Sequence, residues 1–225
     1  MPRQHFLPFT FYLLLLFIMN IPTKITVARI ALIPIFVAVF FLDDVIPYNR
    51  LIAAIIFAVA ALTDWVDGFL ARRLNQITDL GKFLDPIADK FLVMSALIAI
   101  VASPIEFQVT IAVFTIIILS RELAISTFRI IAASKNLTLA ADKLGKVKTV
   151  LQMLALLVLI PMVDIVAFIP ESAEAIEVFG IILLGGATAM TLISGISYLV
   201  KNRHVLNTAE KEVQNNDNNN NDDNA

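Results

Sequence analysis

Residues 176–200 read IEVFGIILLGGATAMTLISGISYLV, an apolar run that contains one charged side chain, Glu177. As an α-helix rising 1.5 Å per residue, the run would extend about 37 Å, which exceeds the roughly 30 Å hydrocarbon core of a bilayer. Helices satisfy their own backbone hydrogen bonds in lipid, where no water is present to do so. The run therefore predicts a transmembrane helix.

The rest of the chain shares this apolar character. Of its 225 residues 59% are hydrophobic and 16% are charged, whereas soluble domains carry about 25% charged residues. A soluble core of this size could not hide so much apolar surface, so the composition excludes a soluble globular enzyme and a disordered protein. The chain has no cysteine, so its composition also excludes a disulfide scaffold and a Cys-ligated zinc site.

Six apolar segments are each long enough to span a bilayer as a helix, which predicts an all-α membrane protein with six transmembrane helices. These segments are approximately 25–42, 51–71, 83–101, 107–133, 147–169 and 176–200. Residues 204–225 are rich in asparagine and predict a disordered tail. Residues 1–18 form an N-terminal extension whose apolar run is too short for an ordinary span, and an interfacial helix, an uncleaved leader and a misassigned start codon are open alternatives.

The charges on the two sides of these segments differ in sign. Lysine and arginine dominate before the first segment, after the second and fourth, and after the sixth, whereas the opposite ends are acidic except for Arg50. Cytoplasmic loops carry the excess of basic residues, so both termini are predicted to be cytoplasmic. Five of the 19 acids and one of the 17 bases lie at 210–225, so residues 1–209 carry 16 bases and 14 acids. This slightly basic body suits anionic lipids or phosphates, and we expect no nucleic-acid partner.

Four aspartates stand where the second segment ends and the third begins. Asp64 and Asp67 are three residues apart, and Asp85 and Asp89 are four apart. Residues at these spacings lie on one face of a helix. A loop of roughly ten residues makes the two helices antiparallel neighbours, so the four carboxylates can converge.

Such a cluster of acids is costly in a membrane unless cations compensate it. Each aspartate near the centre of a spanning helix costs about 2.5–3.5 kcal/mol. Oxygen-only ligands favour Mg²⁺ or Mn²⁺ over zinc, and Mg²⁺ commonly shares its coordination with substrate phosphates. The alternative is that the aspartates are solvated or pair with nearby bases such as Arg72 and Lys90. We favour a metal site because four acids share these spacings and two glycines, Gly68 and Gly81, leave room on the same faces.

Residues 64–89 contain the pattern Asp-x-x-Asp-Gly-x-x-Ala-Arg, eight residues, then Gly-x-x-x-Asp-x-x-x-Asp. This pattern resembles the signature of the CDP-alcohol phosphatidyltransferases at every fixed position. Three further stretches resemble the bacterial phosphatidylglycerophosphate synthases of that family: NIPT at 20–23 with Thr26 and Arg29, SRE at 120–122, and KLGKVKT at 143–149. The resemblance covers roughly residues 19–203, which we interpret as one catalytic domain.

The resemblance implies a fold and a reaction. The fold would be six helices around a cytoplasm-facing polar cavity, usually in a homodimer, in the cell (inner) membrane. The reaction would transfer the phosphatidyl group of CDP-diacylglycerol to sn-glycerol 3-phosphate, giving phosphatidylglycerophosphate and CMP.

The resemblance also implies a role for each matching residue. Two Mg²⁺ or Mn²⁺ ions would bind Asp64, Asp67, Asp85 and Asp89, and Asp89 would also be the general base. The residues implied for CDP-diacylglycerol are Gly68, Ala71, Arg72, Thr78, Gly81, Thr26 and Arg29. Those implied for the acceptor phosphate are Arg121, Arg129, Lys143, Lys146 and Lys148.

The position of Arg121 supports the acceptor assignment independently. Arg121 lies well inside the fourth segment, and Arg129 follows eight residues later on a similar face. An arginine at that depth normally needs a partner, and a phosphate on the acceptor would supply one with two-pronged geometry. For Glu122 the simpler interpretation is a pair with a neighbouring base.

Two alternative functions are left open by the residues. The first is the same chemistry with another acceptor, namely serine, inositol phosphate or phosphatidylglycerol. The second is a divalent-cation transporter, whose carboxylates should lie near the bilayer midplane between repeat halves. Here the aspartates fall at one end of their segments, and no repeat is visible.

Overall fold

The structure, a computed structural model, describes residues 21–43, 45–74, 79–103, 105–134 and 144–202. For residues 21, 22, 64–74, 79–86, 134 and 144 it describes the backbone alone. Within these ranges the helices are joined by short connections and no β-strand is present, which confirms the prediction of an all-α protein.

Helices coincide with all six predicted segments. In chain order they are α1 (Ile21–Phe40), α2 (Asn49–Leu74), α3 (Asp79–Val101), α4 (Gln108–Ser134), α5 (Leu144–Leu159), α6 (Met162–Phe168), a short 3-10 turn (Pro170–Ser172) and α7 (Ala173–Lys201).

The fifth predicted segment, 147–169, is not the single continuous helix that was expected. α5 ends at Leu159 and α6 begins at Met162, and the two helices are bent by 44° at the break. The break falls at Pro161, which has no N–H to donate and whose ring clashes with the carbonyl four residues earlier. The chain restarts there as a helix, since the Pro161 carbonyl accepts a hydrogen bond from the Ile165 N–H at 3.0 Å.

The outer surface of the helices is that of a membrane protein. Three of the described helices are long and apolar enough to cross a bilayer, at Thr23–Phe40, Gln108–Ala133 and Pro170–Lys201, and the bent pair α5–α6 makes a fourth if it counts as one span. Large apolar side chains such as Ile116, Ile130, Ile182 and Ile196 are each more than 60% exposed. Exposing such an apolar surface to water is energetically unfavourable, whereas lipid tails solvate it.

The chain divides into two compact units, and each has its own packing. The first comprises Met1–Ser103 and Leu156–Glu177, and the second comprises Pro104–Ala155 and Val178–Ala225. In the first unit α1 packs against both α2 and α3, and α2 also contacts α6. Its core includes three fully buried rings, those of Phe36, Phe40 and Phe57. The centre of the Phe36 ring lies 6.0 Å from the centres of the other two.

A polar cluster closes one end of the first unit, in the connection between α1 and α2. Arg50, whose side chain is 5% exposed, donates to both carboxylate oxygens of Asp43 at 3.1 and 3.2 Å and to the Ser103 hydroxyl at 2.8 Å. Asn49 donates to the Phe40 carbonyl at 2.9 Å, which satisfies an open carbonyl at the end of α1. The Arg50 guanidinium lowers the pKa of the Asp43 carboxyl below its usual range. Arg50, the one base among acids in this part of the sequence, is therefore neutralised by a neighbour.

The second unit is built from α4, α7 and the start of α5. α4 and α7 meet through the edge-to-face rings of Phe128 and Tyr198, which lie 6.0 Å apart. Gly185 of α7 lies against the Phe114 ring. Buried hydroxyls of α7 are satisfied within the helix, since Thr188 and Thr191 donate to carbonyls one turn earlier. This packing holds the polar residues of α4 against α7.

Candidate functional site

The aspartate motif lies on α2 and α3, as the spacing predicted. α2 is helical through positions 64, 67, 68, 71 and 72, and α3 is helical through positions 81 and 85. The structure describes the backbone of these residues and not their side chains, and Thr78 lies outside the described residues. The helical spacing of the motif is thus confirmed, while the convergence of its carboxylates stays a prediction.

Three other residues predicted for the donor side have described side chains. Asp89 lies on α3 and is half-buried. Thr26 and Arg29 are three residues apart on α1, and both are fully buried in the first unit, at 1% and 0% exposure. Among the side chains that the structure describes, no three histidines, cysteines or acids group closely enough to hold a metal ion. Three of the four predicted ligands lie outside that set.

In the second unit, two of the residues predicted for the acceptor phosphate meet at one carboxylate. Lys148 of α5 forms an ion pair with Oε1 of Glu122 on α4, and Nη1 of Arg121 lies 3.9 Å from the same oxygen. All three side chains are largely buried, at 6% exposure for Lys148, 15% for Arg121 and 23% for Glu122. We call Arg121, Glu122 and Lys148 the cation cluster.

Arg121 also contacts α7 directly. Its Nη2 donates a hydrogen bond of 2.6 Å to the hydroxyl of Ser194. The side chain runs past Gly195, where a Cβ atom would lie 3.1 Å from Nε and 3.2 Å from Cγ of Arg121. Arg121 therefore has partners within the protein, on α4 and on α7, and its predicted role in binding the acceptor phosphate stays a prediction.

The remaining predicted acceptor residues lie near the cluster or outside the described chain. Arg129 is exposed, and its guanidinium lies over the Tyr198 ring at 5.3 Å from the centroid. Arg121 and Arg129 thus both contact α7, which agrees with their predicted placement on a similar face of α4. Lys146 is exposed on α5, and Lys143 lies outside the described residues.

The structure brings together residues that the sequence reasoning did not group. Glu122 was expected to pair with a base, which is confirmed, but not to join two predicted acceptor ligands. Ser194 and Gly195 were not predicted to touch Arg121. The available signal was weak, namely a serine beside a glycine in an apolar helix, which usually indicates close helix packing.

The cation cluster is suited to an anion. Two cations against one carboxylate leave a net charge of +1 in a largely buried setting, where charge interactions are stronger than in water. Arginine offers paired N–H donors that match the geometry of a phosphate, and lysine adds a compact point charge. The cluster can therefore bind a phosphate monoester if Glu122 shares its cations with the ligand.

Comparison with known proteins gives one consistent result. A family model described as CDP-alcohol phosphatidyltransferase matches residues 19–200. The chain is similar to the CDP-diacylglycerol–glycerol-3-phosphate 3-phosphatidyltransferase of Bacillus subtilis (strain 168), with 40% identity over 200 residues that cover 84% of this chain and 98% of the relative. Relatives of the same name from Escherichia coli (strain K12) and Shigella flexneri are 42% identical over 182 residues, covering 80% of this chain and 93% of theirs.

Proposed function

The chain belongs to the CDP-alcohol phosphatidyltransferase family, and on that premise we propose that it transfers the phosphatidyl group of CDP-diacylglycerol to sn-glycerol 3-phosphate. The products are phosphatidylglycerophosphate and CMP, so the enzyme belongs to phospholipid biosynthesis. The observation that carries the proposal is the identity of 40–42% to relatives named for this reaction, over 80% or more of the chain. Those names favour glycerol 3-phosphate over serine, inositol phosphate or phosphatidylglycerol as the acceptor.

The proposal includes a membrane arrangement. Six helical spans surround a polar cavity that opens to the cytoplasm, in the cell (inner) membrane, with both termini cytoplasmic and the protein as a homodimer. The span count is supported by helices at all six apolar segments, with the bent pair α5–α6 as one span. The orientation is supported by the basic loops and by Arg50, whose charge Asp43 neutralises on the acidic side.

The aspartate motif fits two Mg²⁺ or Mn²⁺ ions. Its donors are carboxylate oxygens without a cysteine or histidine among them, which is the ligand chemistry of these cations. All four aspartates lie in helices, two in α2 and two in α3, so their spacings of three and four residues are helical spacings. Asp64, Asp67, Asp85 and Asp89 would hold the ions. When bound, the ions supply positive charge against the pyrophosphate and the departing CMP.

The protein's own residues then carry out the transfer. Gly68, Arg72 and Thr78 would hold the CDP part of the donor, and Ala71, Gly81, Thr26 and Arg29 are the further residues assigned to donor binding. Asp89 accepts the proton of the 1-hydroxyl of glycerol 3-phosphate as that oxygen attacks the phosphorus that carries diacylglycerol. The bond from this phosphorus to the oxygen of CMP breaks, and CMP leaves with that oxygen and the electron pair.

The acceptor is held by its own phosphate. Arg121 and Lys148 bind the phosphate from within the cation cluster, and Arg129, Lys143 and Lys146 add positive charge around it. The support for this step is the burial of two cations at one carboxylate. A neutral alcohol such as glycerol offers these cations no matching charge, so it binds weakly.

An acceptor panel tests the proposal. The purified protein in detergent is given CDP-diacylglycerol and Mg²⁺, and CMP release is measured with glycerol 3-phosphate, glycerol, serine, inositol phosphate or phosphatidylglycerol. We expect rapid release with glycerol 3-phosphate alone. Equal release with serine or inositol phosphate would overturn the acceptor assignment, and no release with any acceptor would overturn the reaction.

A further inference from the structure

We propose that Ser194 and Gly195 of α7 are positioning residues that fix the Arg121 guanidinium and thereby set the enzyme's affinity for the acceptor. This inference rests on the proposed function, because it concerns the residue that binds the acceptor phosphate. It adds two residues of the last helix that lie outside both the aspartate motif and the basic stretch at 143–149.

Ser194 directs one end of the guanidinium. Its side chain is fully buried, and its hydroxyl donates to the Thr191 carbonyl at 3.3 Å while it accepts from Nη2 of Arg121 at 2.6 Å. Because the hydroxyl proton points to the backbone of α7, a lone pair of the oxygen is directed to Arg121. The hydrogen bond therefore links the guanidinium to α7 through a hydroxyl that is itself hydrogen-bonded to the helix backbone.

Gly195 makes room for the stem of the same arginine. A Cβ atom at this position would lie 3.1 Å from Nε and 3.2 Å from Cγ of Arg121, which is closer than ordinary van der Waals contact. These atoms are in the middle of the side chain, so relieving the contact moves the guanidinium away from Ser194. Gly186, nine residues earlier on α7, is different, because a Cβ atom there would lie 3.9 Å from Leu151 in ordinary contact.

The two terminal nitrogens of the Arg121 guanidinium have different neighbours, since Nη2 donates to Ser194 and Nη1 lies 3.9 Å from Oε1 of Glu122. The guanidinium is thus positioned by α7 and by Glu122 before any substrate arrives. A preorganised cation loses less freedom when it binds a phosphate, so preorganisation raises affinity. Displacing the guanidinium should weaken acceptor binding and leave donor binding unchanged.

Three variants of α7 test the inference by steady-state kinetics in detergent. Ser194→Ala removes the hydrogen bond, Gly195→Ala adds the crowding methyl group, and Gly186→Ala is the matched control for adding a methyl group to the same helix. We expect KM for glycerol 3-phosphate to rise about 3- to 10-fold in the first two variants, as expected for loss of one hydrogen bond. KM for CDP-diacylglycerol should not change, and Gly186→Ala should match wild type.

A double-variant comparison separates positioning from general damage. If Ser194 acts through Arg121, then Ser194→Ala should add nothing in the Arg121→Ala background, where KM for the acceptor is already high. An equal rise in both backgrounds would overturn the inference, as would equal rises in KM for both substrates. If Gly195→Ala does not assemble, Ser194→Ala decides alone. The kinetics of the wild-type enzyme distinguish the two proposals. A wild-type enzyme that does not use glycerol 3-phosphate contradicts the proposed function. A wild-type enzyme that does use it, together with variants whose KM for glycerol 3-phosphate is unchanged, contradicts only this inference.

Discussion

Lys148 and Glu122 show how a buried charge pair is maintained within an apolar protein. Each is costly to bury alone, and each is neutralised by the other across α4 and α5. Breaking such a pair by removing one partner is more harmful than replacing both, because a single substitution leaves an uncompensated charge. The pair therefore makes a stability test that does not depend on substrate.

Lys148→Met and Glu122→Gln should each destabilise the protein, by about 3 kcal/mol for a largely buried pair. The double variant should recover much of the loss, since no unpaired charge is left between these two positions. Thermal unfolding in detergent measures all three against wild type, with the exposed Lys146→Met as the control. A Lys148→Met protein as stable as wild type would show that the ion pair does not stabilise the bundle.

Asp89→Asn should abolish turnover while leaving CDP-diacylglycerol binding measurable. The amide keeps the shape of the carboxylate but cannot accept the hydroxyl proton, and loss of a general base reduces kcat by about 100-fold or more. The same change at Asp43, in the connection after α1, is the matched control and should leave kcat unchanged. Near-normal turnover of Asp89→Asn at saturating Mg²⁺ would remove Asp89 from the role of base.

At this scale the sequence predicted the charged residues of the site but not what holds them. Arg121 could be selected because charges are rare in apolar helices and need a reason to be there, whereas Lys148 was selected through the family resemblance. The contacts of Arg121 with Ser194 and Gly195 join residues more than 70 positions apart. They depend on how α4 and α7 are aligned, which no local pattern in either helix specifies.

At the scale of helices, the connection between α1 and α2 carries a pH-sensitive pair. The pKa of Asp43 is lowered in the folded protein, mainly by its hydrogen bond with Arg50. A carboxyl with a lowered folded pKa stabilises the protein above its unfolded pKa, and this stability is lost as pH falls through the folded value. Because the Asp43 side chain is 51% exposed, solvent screening limits the effect to about 1 kcal/mol.

Asp43→Asn should therefore lower the unfolding temperature at pH 7 by a few degrees. The difference from wild type should shrink as the pH falls below about 4, where the wild-type carboxyl also begins to lose its charge. Unfolding temperatures in detergent across this pH range provide the measurement. A difference that stays constant down to the lowest pH would mean that the Asp43 charge does not stabilise this connection.

Helix positions were predictable because apolar length and charge placement mark where spans begin and end. The break in 147–169 was missed because the sequence is predominantly apolar on both sides of Pro161. Proline does not end every helix here, since Pro34 lies inside α1 without interrupting it. Its effect depends on packing, as transmembrane helices can compensate for a missing hydrogen bond.

At the scale of the whole molecule, the account makes a prediction about topology. The chain has no cysteine, so a single introduced thiol reports its own position without background. Glu171→Cys, in the 3-10 turn before α7, should react with a membrane-impermeant maleimide in intact cells. Lys201→Cys, at the end of α7, should react only after the membrane is opened. Both residues are exposed, and the reverse labelling pattern would contradict cytoplasmic termini.

The central claim is that the enzyme moves a phosphatidyl group from a CDP-lipid to glycerol 3-phosphate. The most direct measurement supplies CDP-diacylglycerol labelled with ³²P at the phosphorus that carries diacylglycerol, together with ¹⁴C-labelled glycerol 3-phosphate. The account predicts that both labels enter one lipid product in equal molar amounts, matched by the CMP released. If the ³²P label instead appears in phosphatidic acid, with CMP released and no ¹⁴C incorporated, the protein is a hydrolase and the account is contradicted.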